Sequence, residues 1–135
     1  MIREVDVERI VTHCRVEAPM EACGIIAGTI HETDDRVEKT IQIVYQCRNE
    51  LNSPTEYSIG AEEQLAIFLE IENRQSDLLG FYHSHPHNAR PSSIDKARAN
   101  YPGYSYLIVA LQPLCLSSWV LEENGEFTEE TVSVL

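Results

Sequence analysis

The sequence predicts an α/β fold, a mixed central β-sheet flanked by helices, and three observations carry that expectation. The apolar pattern switches along the chain between the 3.6-residue repeat of amphipathic helices and short β-branched runs. Helix-like and strand-like segments alternate and then give way to a β-rich end. At 135 residues with 43% hydrophobic content, the chain has the size of one domain and enough apolar material for a core, so a single domain over 1–135 is expected.

Val7, Ile10, Val11 and Cys14 follow the i, i+3, i+4, i+7 stripe of a first helix, with Asp6 as N-cap and Pro19 marking its end. Cys23 to Gly28 is a short apolar run expected to be a buried strand, and its glycines suggest close backbone approach. Val37 to Cys47, with Ile41, Ile43 and Val44, reads as a longer strand. Asn49 to Pro54 is a polar loop, followed by a short strand at Thr55 to Ile59. Ala61 to Arg74 reads as a helix with Leu65, Phe68 and Leu69 on its apolar face. Leu78 to Ser84 is expected as a strand, His85 to Pro91 as a loop and Ser92 to Asn100 as a short helix. Tyr104 to Leu111 is the most strand-like segment. Strands at about Leu116–Leu121 and Phe127–Val134 flank a Glu123-Asn124-Gly125 turn, an Asn-Gly hairpin signal.

A net charge of −12 argues against a nucleic-acid partner, because phosphate binding rests on cationic neutralisation. It also disfavours an anionic membrane surface. No apolar run is long enough to span a bilayer, and the charged start Met1-Ile2-Arg3-Glu4-Val5-Asp6 does not resemble a secretory signal, so a cytoplasmic location is expected. Cys14, Cys23, Cys47 and Cys115 form no C-x-x-C pair and are expected to be small buried hydrophobes.

Three of the five histidines lie within Tyr82-His83-Ser84-His85-Pro86-His87. If the strand continues through His85, alternation points His83 and His85 to one face and Ser84 to the other. Pro86 cannot donate to a ladder, so the strand ends there. Ser92 suits an N-cap, with Asp95 in a relaxed capping box on the first turn of the following helix. Two imidazoles and a carboxylate leave one tetrahedral position open, the layout of a catalytic rather than a structural zinc. Taken singly, the histidine pair and Asp95 are more often structural than ligating. No H-E-x-x-H, zinc-deaminase signature, G-x-S-x-G elbow, P-loop or G-x-G-x-x-G occurs.

His83-Ser84-His85-Pro86, a short loop ending Arg90-Pro91, and Ser92-Ser93-Ile94-Asp95 together resemble the JAMM (MPN+) zinc metalloprotease motif. Upstream, Pro19-Met20-Glu21-Ala22-Cys23-Gly24 resembles that family's P-x-E-x-C-G stretch. Leu79-Gly80-Phe81-Tyr82, Asn52-Ser53-Pro54 and Tyr57 are similar to small prokaryotic members. The resemblance runs from about Glu17 to Ala110 and implies the cytidine-deaminase-like MPN architecture. It implies one zinc ion (Zn2+) held by His83, His85 and Asp95, Glu21 as general base and proton carrier to the leaving amine, and Ser92 as oxyanion stabiliser. Only the resemblance selects Glu21 among 22 acidic residues.

The interval from His85 to Asp95 is one residue shorter than in most members, and the difference falls in the His87 to Pro91 loop. His87 itself is expected to be a solvated loop residue or a substrate contact, not a ligand. The resemblance implies a metallo(iso)peptidase cutting next to the Gly-Gly tail of a ubiquitin-like or sulfur-carrier protein. Two alternatives stay open at this stage, a non-catalytic MPN-type binding module and a zinc hydrolase of a small molecule.

Overall fold

The computed structural model describes residues 1–135 as α1 (Glu4–Glu17), β1 (Cys23–Glu32), β2 (Val37–Cys47), α2 (Ala61–Asn73), β3 (Asp77–His85), α3 (Ser93–Arg98), β4 (Ser105–Leu111), β5 (Leu114–Leu121) and β6 (Phe127–Glu130). The six strands form one sheet in the order β2-β1-β3-β4-β5-β6. All neighbours are antiparallel except β3 and β4, whose parallel pairing requires a crossover, and α3 lies in that crossover. The expected mixed sheet with flanking helices is therefore present.

Each face of the sheet carries its own apolar core. On one face, Ile10, Val11 and Cys14 of α1 pack on Ile26, Tyr82, Leu107 and Val109. On the other, Ile67 and Ile71 of α2 pack with Ile25, Phe81, Tyr106 and Leu121. The assignment of faces along β3 depends on a bulge: the register with β1 shifts between Ile26 and Ala27, leaving Leu79 as an extra residue. Leu79 and Tyr82 thus both join the α1 side, although strict alternation would separate them. Beyond the bulge, Phe81 leads the odd-numbered residues onto the α2 side. Gly80 makes this possible, with φ of +154° and with the Ser105 carbonyl in the space a Cβ would need.

Several boundaries differ from expectation, each for a physical reason. The N-cap of α1 is Arg3, not Asp6; Asp6 lies inside the first turn, fully buried, and accepts from Arg3 Nε at 2.7 Å. The acidic pair Glu4 and Asp6 suits the positive end of the earlier helix start. Thr55 to Ile59 is not a strand, and only Ile59 makes a bridge, to Asn49. The Asn49 side chain takes up hydrogen-bonding groups of this segment that a ladder would need.

Helix α2 forms as expected and Phe68 of its expected face packs on the sheet-side core, but the buried residues are Ile67 and Ile71, while Leu65 and Leu69 are 59% and 52% exposed. A helix with apolar residues around most of its circumference does not reveal from sequence which stripe the sheet will take. β1 runs on to Glu32, β5 begins at Leu114, and α3 stops at Arg98. β6 ends at Glu130, and Val134 returns only as a bridge to Ile2, which also bridges Ile41 of β2. The Asn-Gly turn holds, with Gly125 at φ +86° and Asn124 Oδ1 accepting from the Glu126 N–H. Cys14, Cys23 and Cys47 are buried as expected, but Cys115 is exposed. No helix is long and apolar enough to cross a membrane.

Candidate metal centre

β3 continues through His85, so the alternation condition is met: His83 and His85 lie on the α2 face, beyond the bulge that set their phase. Ser84 points the other way and fastens the neighbouring chain. Its Oγ accepts from the Ala22 N–H at 2.9 Å, and its N–H donates to the Ala22 carbonyl at 3.1 Å. Glu21 is thereby held against the end of β3. Its own N–H donates to the Ser53 carbonyl at 2.8 Å, and its carbonyl accepts from Asn49 Nδ2 at 3.0 Å.

The fourth group arrives on α3. Ser92 is the N-cap, and the expected capping box is complete: Asp95 N–H donates to Ser92 Oγ at 3.0 Å, and Ser92 N–H donates to Asp95 Oδ2 at 2.9 Å. The cap fixes the Asp95 rotamer so that Oδ2 turns toward the histidines. His83 Nε2, His85 Nε2 and Asp95 Oδ2 form a triangle with every edge 3.1 Å. With Glu21, one ligand atom from each of the four residues lies within 4.8 Å of the others. All four are buried, at 4% exposure for Glu21, 1% for His83 and 9% for His85 and Asp95.

This geometry fits a divalent cation. A tetrahedral zinc ion bonded at ~2.0–2.1 Å spaces its donors by ~3.3–3.4 Å, close to the observed edges. His85 Nδ1 faces the Asn88 carbonyl at 3.0 Å and donates to it, which leaves the Nε2 lone pair free for an ion. Glu21 Oε1, buried beside the triangle, has no hydrogen-bond partner, the imbalance expected where a ligand completes a site. Tyr57 stacks on the His83 ring with centroids 4.7 Å apart and limits its rotation.

The electrostatics separate the carboxylates. Burial pushes the Glu21 carboxyl up to about 8, a rise that His85 opposes and Asp95 and Glu56 reinforce. Burial acts on Asp95 in the same direction, but hydrogen bonds with His83 and His85 outweigh it and hold this carboxyl well below its usual range. Burial lowers His83 against the support of Asp95, so its imidazole favours the neutral, ligating form. Burial also lowers His85, but the Asp95 hydrogen bond and charge prevail and raise it. One carboxyl can thus exchange a proton near neutrality while the other stays ionised.

All five residues singled out in the sequence meet here, four as the cation group and Ser92 as the cap that orients Asp95. His87 is exposed, lies against the Gln112 carbonyl at 3.3 Å and takes no part. The short interval between His85 and Asp95 does not prevent convergence, because the loop between them absorbs the difference. Sequence reasoning missed Asn49 and Asn88. Asn49 spends its full capacity, donating to the Glu21 and Glu56 carbonyls and accepting from the Leu51 and Ser58 N–H groups. An Asn opening a loop and bonding two residues on is an Asx turn, a signal that was available in the sequence.

A family model for prokaryotic homologs of the JAB domain matches residues 4–122. A desampylase of Haloferax volcanii is 36% identical over 94% of this chain and 90% of its own length. A CysO-cysteine peptidase of Mycobacterium tuberculosis is 34% identical over all of this chain and 90% of its own. Among solved structures, a Desulfitobacterium hafniense protein superposes with a TM-score of 0.85 at 31% identity, covering this chain completely and 93% of that one. A JAB1/MPN domain protein of Archaeoglobus fulgidus, at 14% identity and a TM-score of 0.62 over 99% of this chain and 94% of that one, shares the fold. With the fold, the four converging residues and the family match in agreement, this chain belongs to the prokaryotic JAB domain family.

Proposed function

We propose that this chain is a zinc-dependent metallo(iso)peptidase that hydrolyses the peptide or isopeptide bond next to the Gly-Gly tail of a ubiquitin-like or sulfur-carrier protein. The observation that carries the reading is the 3.1 Å triangle of two imidazole nitrogens and a carboxylate oxygen, with the buried, unpartnered Glu21 Oε1 beside it. The desampylase and CysO-cysteine peptidase relatives support the reaction class and the kind of partner. A net charge of −12 favours a protein partner with a basic face over nucleic acid or membrane, in keeping with a cytoplasmic enzyme built as one domain.

In this reading His83, His85 and Asp95 hold one zinc ion. When bound, the ion supplies Lewis acidity toward the scissile carbonyl and lowers the pKa of water toward ~7. Glu21 Oε1, with no competing partner, takes the proton of the attacking water and later delivers it to the leaving amine. Ser92 Oγ spends an acceptor site on the Asp95 N–H, which leaves its hydroxyl hydrogen to donate to the developing oxyanion. A tail running as an extended strand past buried residues requires small side chains next to the cut.

The test is metal content by mass spectrometry together with cleavage of a ubiquitin-like protein extended beyond its Gly-Gly tail. The expected result is about one zinc per chain and cleavage after the second glycine, abolished by chelation. A protein whose thermal stability ignores added zinc and which leaves the fusion intact would instead be a binding module, and turnover of small amides alone would make it a small-molecule hydrolase.

A further inference from the structure

Pro86 to Pro91 join β3 to the Ser92 cap without a helix or strand of their own. Such a segment is ordinarily among the most mobile parts of a fold. Here the β4–β5 hairpin holds it at two carbonyls. Gln112 N–H donates to the Pro86 carbonyl at 3.0 Å. Ala89, only 7% exposed, packs with Ile108, Ala110 and Trp119. Its carbonyl accepts from Trp119 Nε1 at 3.0 Å and from the Ser117 hydroxyl. Trp119 Nε1 also lies 2.8 Å from Ser117 Oγ, so the two donors brace each other. Register places them beside the cation group: His83 pairs with Ile108 of β4, and Ile108 pairs with Ser117 of β5.

Packing explains only part of this arrangement. An indole packed for its area needs a partner for its N–H, but at the half-buried Trp119 water would serve. Both donors converge on one loop carbonyl instead. The preceding carbonyl, that of Asn88, is the one that accepts from His85 Nδ1 at 3.0 Å. Peptide planes are rigid, so only the φ and ψ of Ala89 separate the two carbonyls. Asn88 Oδ1 accepts from the Arg90 N–H at 3.2 Å and closes the turn around Ala89.

We propose that Trp119 and Ser117 are positioning residues for His85. By pinning the Ala89 carbonyl they hold the Asn88 carbonyl where it keeps the Nδ1 proton and turns Nε2 toward the ion. A carbonyl that swung away would free the ring to rotate and to carry its proton on Nε2, where it blocks coordination. His83 is held differently, by the stacked ring of Tyr57. This positioning role presupposes the zinc-binding reading, with His85 as a ligand, but nothing about the substrate.

Zinc affinity is measured on the full chain by competition with a chelating indicator, alongside NMR of the histidine ring protons in the zinc-loaded protein. Ser117→Ala with Trp119→Phe removes both donors and keeps an aromatic ring against Ala89. Zinc affinity should fall about 10-fold, the low end for loss of an outer partner of a ligand. The His85 Nδ1 proton should exchange faster with water and broaden, while the His83 ring signals stay in place. Ser117→Thr retains the hydroxyl and should match the parent. Trp119→Phe alone leaves one donor and should lie between, and it carries the test should the double variant fail to fold.

Unchanged zinc affinity and an unchanged His85 proton in both variants overturn the positioning role and leave the cation centre standing. A drop in thermal stability with affinity intact does the same, since it reduces the pair to packing. A loss of affinity that disturbs His83 and His85 alike also overturns it, because the tether reaches only His85. A parent chain that takes up no zinc overturns the centre itself and this role with it.

Discussion

The two ends of the sheet both bury polar residues, and they do so in opposite ways. At the end away from the cation group, Lys39 Nζ donates to Ser105 Oγ at 2.6 Å, and the Ser105 and Ser118 hydroxyls each donate to Glu130 Oε1 at 2.6 Å. Glu130 Oε2 lies 3.6 Å from Lys39, so positive and negative charge are matched and each proton has an acceptor. At the other end, His83 Nε2, His85 Nε2 and Asp95 Oδ2 face each other at 3.1 Å, and the neighbouring Glu21 Oε1 has no partner. Buried polarity is common to both. The closed network ties β2 to β6, whereas the open one gathers atoms able to ligate a cation and leaves a buried carboxylate oxygen unsatisfied.

The largest expected effect follows at the open end. Glu21→Gln keeps the shape and the three ligands but cannot carry a proton, so kcat should fall by about 10²–10⁴-fold with zinc content unchanged. Full activity in this variant would sink the assigned role. The same substitution should also stabilise the metal-free protein. The Glu21 carboxyl is raised to about 8 in the fold, so folding takes up a proton above the ordinary carboxyl range. Its contribution is complete below the unfolded value near ~4.3 and is lost as pH rises through about 8. The Tm of metal-free Glu21→Gln should therefore exceed that of the parent at pH 8, with the gap closing toward pH 5.

Acid should separate the two ends next. Protons compete with the ion for His83 and His85, so zinc affinity should fall as pH drops below ~6.5, by up to about tenfold per pH unit for each proton displaced. A zinc-responsive indicator titrated between pH 5 and 8 reads this directly. A flat profile would mean the imidazoles are not ligands. Glu130→Ala, by contrast, strips two serine hydroxyls and Lys39 of their acceptor and should cost about 1–3 kcal/mol in urea unfolding. Zinc content should not change, because no ligand lies at that end. Loss of zinc in Glu130→Ala would show that the two networks are coupled through the sheet.

Legibility in the sequence tracks how local the determining physics is. The strand Val37–Cys47, the helix at Ala61, the Ser92 cap and the Asn-Gly turn each depend on a few adjacent residues, and each formed as expected. His83 and His85 could be paired by alternation alone, but the face they occupy depends on the bulge at Leu79–Gly80, which answers to Ser105 on another strand. Glu21 was recoverable only through the family resemblance, since its fixation depends on Ser84, Ser53 and Asn49 from distant segments. The strand expected at Thr55 to Ile59 failed for the same reason, because one Asn side chain displaced a ladder.

Helix α2 gives the smallest prediction and the sharpest test of whether partners, rather than residue types, decide a position's role. Leu65 and Leu69 resemble Ile67 and Ile71 chemically, yet only the isoleucines touch the sheet-side core. Leu65→Ser and Leu69→Ser remove surface that is already 59% and 52% exposed. Helix propensity drops little with each change, so urea unfolding should shift by no more than about 0.5 kcal/mol per substitution. Zinc content and kcat should be untouched. A loss of several kcal/mol would mean that the leucine stripe is buried against something in solution, and that the stripe read from the sequence was the correct inner face.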